Sequence, residues 1–408
     1  MARQERPLGY PDQRSLNRQQ VVAVIRAAGQ IARIDIAQET GMSPATVTAI
    51  TSELIGAGLV EEVPSDEPRG SGGRGRPRVD LRVRGAAHLV AGVKVSFRTL
   101  SLVLIDFEGT TLAEHECELP EPRLSPNGLA AAITKALDTI TAKIGRKSTD
   151  ISGLGVGLAG TIDALGGFVH WSPSLTERNV ELRDILETAL PMPVFLENDA
   201  NLVAKAEQLF GEARGVSDFI VVTIEQGVGM GIVLDGCIYR GTRGCGAELG
   251  HTKVHLDGAL CRCGQRGCLE AYVSDYALLR EADVSLPGIA DKNPTDKLEA
   301  LFTAARSGDH TAETILDRAS RMFAMGLANI VNIFDPKLII LSGERMSQDF
   351  LYSDDVIAAM RDEVVQVDAP PPEVRIHKWS DSMWAKGAAA YAMEGVTELA
   401  VRRLTVDA

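Results

Sequence analysis

A dense cluster of metal-binding residue types lies near the middle of the chain. His251 is followed by three cysteines within eight residues, Cys261, Cys263 and Cys268. One His and three Cys side chains supply the four ligands that a tetrahedral zinc ion takes in a closed, structural site. Thiols at this density in a cytosolic chain indicate metal ligation before disulfide pairing. The alternative is a set of reduced thiols that bind nothing.

Length and composition narrow the class of protein. The 408 residues suffice for two to three domains, and 45% hydrophobic with 24% charged residues is typical of a globular chain rather than a disordered or collagen-like one. No apolar run approaches the roughly 18 residues of a membrane span. The start of the chain, residues 1–6, is polar and does not resemble a secretion signal. We therefore expect a cytoplasmic protein without a membrane partner.

The net charge of −13 argues against a surface that is basic throughout. Residues 1–80, however, hold ten arginines, no lysine and ten acidic residues, so this part is neutral. Any contact with DNA is therefore expected to be local and to lie at this end of the chain.

The N-terminal residues predict three helices. Apolar residues at three- to four-residue spacing indicate a helix from about Leu16 and a second over 31–40. Gly41 suits a tight turn, and Ser43 with Pro44 then forms the N-cap and first residue of a third helix. The apolar positions are Leu16, Val21, Val24, Ile25, Ile34, Ile36, Ala37, Val47, Ile50 and Leu54. This order of helix, helix, glycine turn and helix predicts a helix-turn-helix.

The outer face of the third helix consists of small residues, which would let the helix sit deep in the major groove of DNA. The residues expected to contact DNA here are Ser43, Pro44, Ala45, Thr46, Thr48, Ala49 and Ser52. A three-helix bundle that does not bind nucleic acid is the alternative.

A basic, glycine-rich segment follows between two predicted strands, 59–63 and 79–83. Its core, Arg74-Gly75-Arg76-Pro77, resembles an AT-hook. Gly and Pro keep such a segment slim, so that Arg74 and Arg76 can enter a narrow minor groove. A flexible basic linker is the alternative. Together with the helix-turn-helix, this wing predicts that the N-terminal domain binds double-stranded DNA.

The remaining chain alternates between strands and helices, which predicts an α/β fold in two lobes. The predicted strands are 88–93, 100–106, 154–158, 194–196, 219–223 and 231–234, and the predicted helices are 133–144 and 200–210. The run from Gly155 to Gly160 matches a dinucleotide-binding pattern. We discount it because no helix follows and Asp163 comes too soon to hold a ribose.

Three features together resemble the ROK family of repressors, open reading frames and sugar kinases: the helix-turn-helix, the Gly-Arg-Pro wing and the Cys-x-Cys-Gly-x-x-Gly-Cys-x-Glu loop. The resemblance covers essentially the whole chain. It implies a two-lobed domain of the sugar-kinase type, related to actin and hexokinase, that follows a winged helix-turn-helix domain in the chain. The expected bounds are 1–84 for the DNA-binding domain, 85–196 plus 383–408 for the small lobe, and 197–382 for the large lobe, with a zinc loop over 245–270.

The resemblance also implies a sugar site. In ROK kinases the Asp matched by Asp199 is the general base for the hydroxyl that attacks ATP, although Asp199 could instead cap the helix beginning at Ala200. Ser174 stands where the kinases commonly have Asn, which allows a different preferred sugar. His251 can serve both zinc and sugar, one on each edge of its ring. The predicted sugar site consists of Gly160, Thr161, Ser174, Asn198, Asp199, Glu248, His251 and Glu270.

The nucleotide side departs from the family pattern. Lys94 replaces the Asp of the first phosphate loop, and Phe97 with Ser96 replaces its two glycines, although a phosphate cradle needs bare backbone. The second loop reads 225–227, Glu-Gln-Gly. A carboxylate about 4 Å from a phosphate charge would repel it by roughly 4 kcal/mol at an effective dielectric near 20. The segment 341–344 also lacks the family's second glycine. Taken as three independent losses, these changes predict that neither ATP nor magnesium binds.

We therefore expect a sugar-responsive transcriptional regulator rather than an enzyme, most simply a repressor of carbohydrate uptake or catabolism genes. Its partners would be a DNA operator, a sugar or sugar phosphate, and further copies of the chain in a homodimer or homotetramer. Two alternatives remain open. One is an active sugar kinase with an appended DNA-binding domain, and the other is a regulator controlled by a protein partner.

Overall fold

The computed structural model describes residues 13–64, 79–286, 293–343, 350–365, 368, 370–378 and 381–406. The N-terminal elements are α1 (Gln13–Ala28), β1 (Ile31–Ala32), α2 (Arg33–Thr40), α3 (Pro44–Gly56), β2 (Val60–Pro64) and β3 (Val79–Val83). Helix α3 begins as the sequence predicts, because the Ser43 hydroxyl accepts a hydrogen bond from the Thr46 amide at 3.1 Å. The apolar residues predicted inside this helix are buried: Val47, Ile50 and Leu54.

Details of the first two helices differ from the prediction. The residues Ile31–Ala32 do not begin α2; they form β1, which pairs antiparallel with β3, so the described wing is a three-stranded sheet. Leu16 and Ile34 were expected inside but are 41% and 53% exposed. Helix α1 instead turns Arg18 inward, where it is paired with Glu53 of α3. A buried polar position of this kind breaks the apolar spacing on which the prediction relied.

A mixed sheet forms the next layer. Its order in the described chain is β10-β7-β4-β5-β6, with β4 antiparallel to β5 and parallel to β7. The elements are β4 (Leu89–Val95), β5 (Thr99–Asp106), β6 (Thr111–Glu118), α4 (Pro126–Ala142), β7 (Ile151–Leu158), β8 (Thr161–Asp163), β9 (Phe168–Trp171), α5 (Leu182–Ala189) and β10 (Val194–Asn198). Helix α4 begins before the predicted residue 133, because Ser125 caps it and Pro126 is its first residue.

A second sheet, of order β13-β12-β11-β14-β15 among the described residues, is surrounded by helices. The elements are α6 (Asp199–Phe210), β11 (Phe219–Ile224), β12 (Val228–Leu234), β13 (Cys237–Ile238), α7 (Glu270–Val273), α8 (Asp275–Ser285), α9 (Pro294–Arg306), α10 (His310–Phe334), β14 (Leu338–Gly343), α11 (Asp354–Glu363), β15 (Glu373–Lys378) and α12 (Asp381–Val406). Across the parts that the structure describes, every helix is too short or too polar to cross a membrane. The two sheets confirm the α/β class.

Helix α12 contacts the second sheet, the first sheet and the winged helix. Near its start, Trp384 packs in the core of the second sheet. The same part of the helix also lies against the first sheet at backbone distance: a Cβ on Gly92 would stand 2.0 Å from the Ala385 carbonyl oxygen. Its last turns share one apolar core with α1 and β5, to which Ile25 and Phe107 contribute. The winged helix is therefore packed onto the ROK-like domain rather than tethered to it.

Candidate functional site

The His251 and cysteine cluster predicted from the sequence is assembled in the structure. Each residue offers one ligand atom, and these atoms all lie within 4.8 Å of one another. The Sγ atoms of Cys263 and Cys268 are 3.7 Å apart, and His251 Nδ1 is 3.7 Å from the Sγ of Cys261. Zn–S bonds of about 2.3 Å in tetrahedral geometry give an S–S edge of about 3.8 Å. These two edges have the length expected in a tetrahedral metal site.

Two further side chains support the cluster. The Lys253 ammonium donates to the Sγ of Cys268 at 2.9 Å. Three thiolates around a divalent ion carry one net negative charge, which this ammonium balances. The Tyr276 hydroxyl lies 3.6 Å from the Sγ of Cys261 and 3.4 Å from Glu270 Oε1. Burial raises the pKa of the Cys261 thiol to about 12, a rise that a coordinated cation would reverse.

The N-terminus of α6 carries the centre of the predicted sugar site. Asn198, the last residue of β10, caps the helix: its Oδ1 accepts from the Ala200 amide at 2.9 Å. Its Nδ2 donates to the carbonyl of Gly160 at 3.0 Å. The cap is therefore Asn198 and not Asp199, although Asp199 Oδ1 also lies 2.9 Å from the same amide. This leaves the second carboxylate oxygen of Asp199 without a role in the cap.

Gly160 precedes the β8–β9 hairpin and meets Asn198 through its carbonyl, and Thr161, the first residue of β8, pairs with Trp171. Gly160 adopts φ +122°, and a Cβ on it would lie 2.2 Å from the Trp171 carbonyl oxygen, so only glycine fits. Ser174 follows this hairpin and is buried, with 4% of its surface exposed.

The acidic members of the predicted sugar site affect one another electrostatically. Burial raises the pKa of Asp199, and the Lys94 ammonium opposes that rise. Burial also raises the pKa of Glu248; His251 lowers it, and the carboxylates of Asp199 and Glu270 raise it further. Such a group of half-buried oxygens suits hydroxyl donors, because each hydroxyl replaces water lost from a carboxylate.

Glu270 joins this acidic group to the cysteine cluster. Its Oε1 lies 3.6 Å from the Sγ of Cys261, and its Oε2 accepts from the Val228 amide at 3.3 Å. A metal at the cluster would therefore hold Glu270, and through it the turn between β11 and β12.

The nucleotide side shows an arrangement that was not anticipated. Lys94 Nζ lies 3.8 Å from Glu225 Oε2 and 3.9 Å from the centre of the Trp384 ring. The two charge changes, which we treated as independent losses, thus form one ion pair. Phe97, at the neighbouring β4–β5 turn, is 59% exposed.

The outer face of α3 is exposed as predicted at most positions. Thr46 is the exception, because it is half-buried beside the Ser43 cap. The Thr48 and Ser52 hydroxyls donate to helix carbonyls at 2.8 Å, so the face presents methyl groups and oxygens flush with the helix. Exposed residues on this face are Ser43, Pro44, Ala45, Thr48, Ala49 and Ser52. The predicted hook residues Arg74 and Arg76, like Glu344, lie outside the described residues.

Comparison with known proteins identifies the family. The family model described as ROK family matches residues 90–394. The chain belongs to the ROK family. A second model, described as winged helix-turn-helix DNA-binding, matches residues 14–61, from the second residue of α1 through α3.

Relatives that match most of the chain include regulators. The DNA-binding transcriptional dual regulator NagC of Escherichia coli K12 is 30% identical over 341 residues, 82% of either chain. The xylose repressor of Caldicellulosiruptor bescii is 28% identical over 338 residues, 81% of this chain and 84% of its own.

Solved ROK structures share the fold. A ROK family transcriptional regulator, homologous to the E. coli Mlc protein, aligns with a TM-score of 0.78 over 97% of this chain and 99% of its own at 24% identity. A ROK glucokinase from Streptomyces griseus, with glucose and AMPPNP bound, aligns with a TM-score of 0.63 over 74% of this chain and 99% of its own at 30% identity.

Sequence reasoning missed the support beneath the predicted sugar site. Glu197 is 1% exposed, and it accepts from Arg240 Nε at 2.6 Å and from Asn201 Nδ2 at 2.9 Å. A carboxylate in a buried strand needs a cationic partner, which was a usable signal for an ion pair. Nothing local to Glu197 identifies that partner as Arg240, which lies 43 positions away.

Proposed function

We propose that this ROK protein is a DNA-binding transcriptional repressor whose cleft binds a sugar or sugar phosphate and thereby changes its affinity for an operator. One observation carries the choice over a kinase. The sugar side retains Asn198, Asp199 and Glu248 around the start of α6, whereas Lys94 and Glu225 meet each other on the side where ROK kinases bind nucleotide.

A zinc ion held by His251, Cys261, Cys263 and Cys268 would serve as a structural centre, since four protein ligands leave no position open for water. We propose that it fixes the loop 245–270 and keeps Glu248 and Glu270 facing the sugar. Sugar hydroxyls would be recognised by all eight residues of the predicted sugar site. Binding changes DNA affinity only to the extent that the sugar makes different contacts in two states of the protein.

The kinase alternative is supported by the glucokinase structure at 30% identity. It requires nucleotide phosphates to approach Glu225, which the charge argument disfavours. Control by a protein partner is the remaining alternative. We further propose a homodimer or homotetramer, since paired recognition helices match two-fold operators.

The decisive test is fluorescence anisotropy of the DNA upstream of the gene. It is titrated with protein alone and with glucose, xylose, N-acetylglucosamine and their phosphates. We expect one compound to shift the apparent Kd at least about tenfold. A coupled assay of ATP consumption on the same panel should show no turnover. Tight DNA binding that no compound alters would contradict the sugar proposal and favour a protein effector, and turnover would favour the kinase.

The hook is tested in the same assay by its salt dependence. Replacing Arg74 and Arg76 by Ala should weaken binding and reduce the slope of log K against log salt by up to about two. Each arginine near a DNA phosphate displaces counterions from the DNA when the protein binds, so fewer counterions are released when the arginine is absent. An unchanged slope would show that the hook does not contact DNA.

A further inference from the structure

We propose that Lys94 and Glu225 form a latch that holds the two lobes of the cleft together without a nucleotide. Lys94 lies on β4 of the first sheet, and Glu225 lies in the turn between β11 and β12 of the second sheet. The ion pair between them, with Nζ and Oε2 3.8 Å apart, therefore joins the two lobes. The inference rests on the fold and holds whether or not the proposed effector is a sugar.

The environment of Lys94 makes this contact more than a surface ion pair. Its side chain is 8% exposed, and its ammonium lies 3.9 Å from the centre of the Trp384 ring. Trp384 belongs to the core of the second sheet. The ammonium of a lysine in the first sheet thus lies against a carboxylate in a turn of the second sheet and against the face of a ring on α12, a helix that packs on both sheets.

Glu225 is held in place by its own lobe. Its amide donates to the Gly227 carbonyl at 2.9 Å, and its carbonyl accepts from the Asp275 amide at 2.9 Å. The same turn is fixed at Val228 by Glu270, which contacts the cysteine cluster. The latch is therefore anchored, through this turn, to the predicted metal site.

A latch of this kind couples its two residues energetically. Glu225 is not the only carboxylate that acts on the buried Lys94 ammonium, because the charge of Asp199 acts on it as well. Glu225→Gln removes the contact between the lobes and leaves Lys94 its interaction with Asp199, whereas Lys94→Met removes the ammonium from both carboxylates. Either change breaks the latch, so the double variant should resemble a single variant rather than the sum of the two.

Hydrogen–deuterium exchange on the full-length protein, without DNA or sugar, tests the latch. The two reporting segments are the turns at 96–99 and 225–228. We expect Lys94→Met to raise exchange at least about threefold in the 225–228 turn of the opposite lobe, and Glu225→Gln to raise it at least threefold in the 96–99 turn. Lys297→Met is the matched control, because Lys297 pairs with Asp283 inside one lobe at 2.6 Å.

Exchange that changes only in the mutated turn, or additive effects in the double variant, would overturn the latch. If Glu225→Gln does not fold, Glu225→Asp keeps the negative charge but shortens the side chain, which moves the carboxylate away from Lys94. It should give an intermediate rise in the 96–99 turn, and no rise there would equally overturn the proposal. None of these outcomes depends on operator or effector, so they are separable from failure of the proposed function.

Discussion

Cys263 is the exposed member of the predicted metal cluster, and its replacement tests for a metal with the least damage to the core. Cys263→Ser removes one of four ligands, so we expect bound zinc, measured by elemental analysis, to fall from about one per chain to near zero. The response of DNA binding to sugar should be lost with it. Cys237→Ser is the control, because Cys237 is exposed on β13 and lies outside the cluster. A zinc-free variant that still responds to sugar would refute the structural role.

We expect the Asp199 carboxylate to lower the stability of the unliganded protein while it supports ligand binding. Burial raises its pKa in the folded protein, so the folded state binds more protons than the unfolded state between the two pKa values. The carboxylate therefore lowers stability progressively as the pH rises through that interval. Asp199→Asn should raise the Tm of the unliganded protein by a few degrees at pH 7, with a smaller gain at pH 4.

The same Asp199→Asn protein should lose its sugar response, because an amide accepts fewer hydroxyl hydrogen bonds than a carboxylate. Thermal melts at both pH values, with and without the effector, measure both effects. A larger gain at pH 4 than at pH 7 would contradict the direction of the shift.

At the scale of elements, helix α3 should recognise DNA through its outer face. Ala49→Glu places a carboxylate on that face, and repulsion by the phosphates should weaken operator binding at least about tenfold. Ala131→Glu on the exposed face of α4 is the matched control and should leave binding unchanged. Equal anisotropy curves for Ala49→Glu and the wild type would place the DNA elsewhere.

Elements specified by neighbouring residues could be predicted from the sequence. The Ser43-Pro44 start of α3 and the His and Cys cluster are local patterns, and both appear as expected. The prediction was wrong where burial depended on distant partners, as for Ile34, which is exposed. The Lys94–Glu225 contact joins two sheets, so no pattern of spacing could reveal it. Residue identities indicated a changed nucleotide side, but only the fold shows what the changes form together.

At the scale of the whole molecule, the winged helix depends on the ROK domain for part of its core. The Arg26 guanidinium of α1 lies 4.9 Å from the centre of the Phe107 ring. Phe107→Leu should therefore raise hydrogen exchange within α1 roughly five- to tenfold, which corresponds to about 1 kcal/mol or more.

Phe302→Leu removes a ring of similar burial from the core of the second sheet and should leave α1 protected. Equal exchange in α1 for Phe107→Leu and the wild type would show that the winged helix is stable without this contact.

The close packing of α12 has a mechanical consequence. Where backbone touches backbone, as at Gly92 and Ala385, no soft side chain can absorb a displacement. The 26 residues of α12 therefore act as a stiff lever about 39 Å long. A tilt of about 5° at its start would sweep its far end by about 3 Å, close to the 3.4 Å step between base pairs. A rotation of α12, together with the first sheet on which it packs, would therefore be passed on to α1 of the winged helix, whose apolar core the last turns of α12 share.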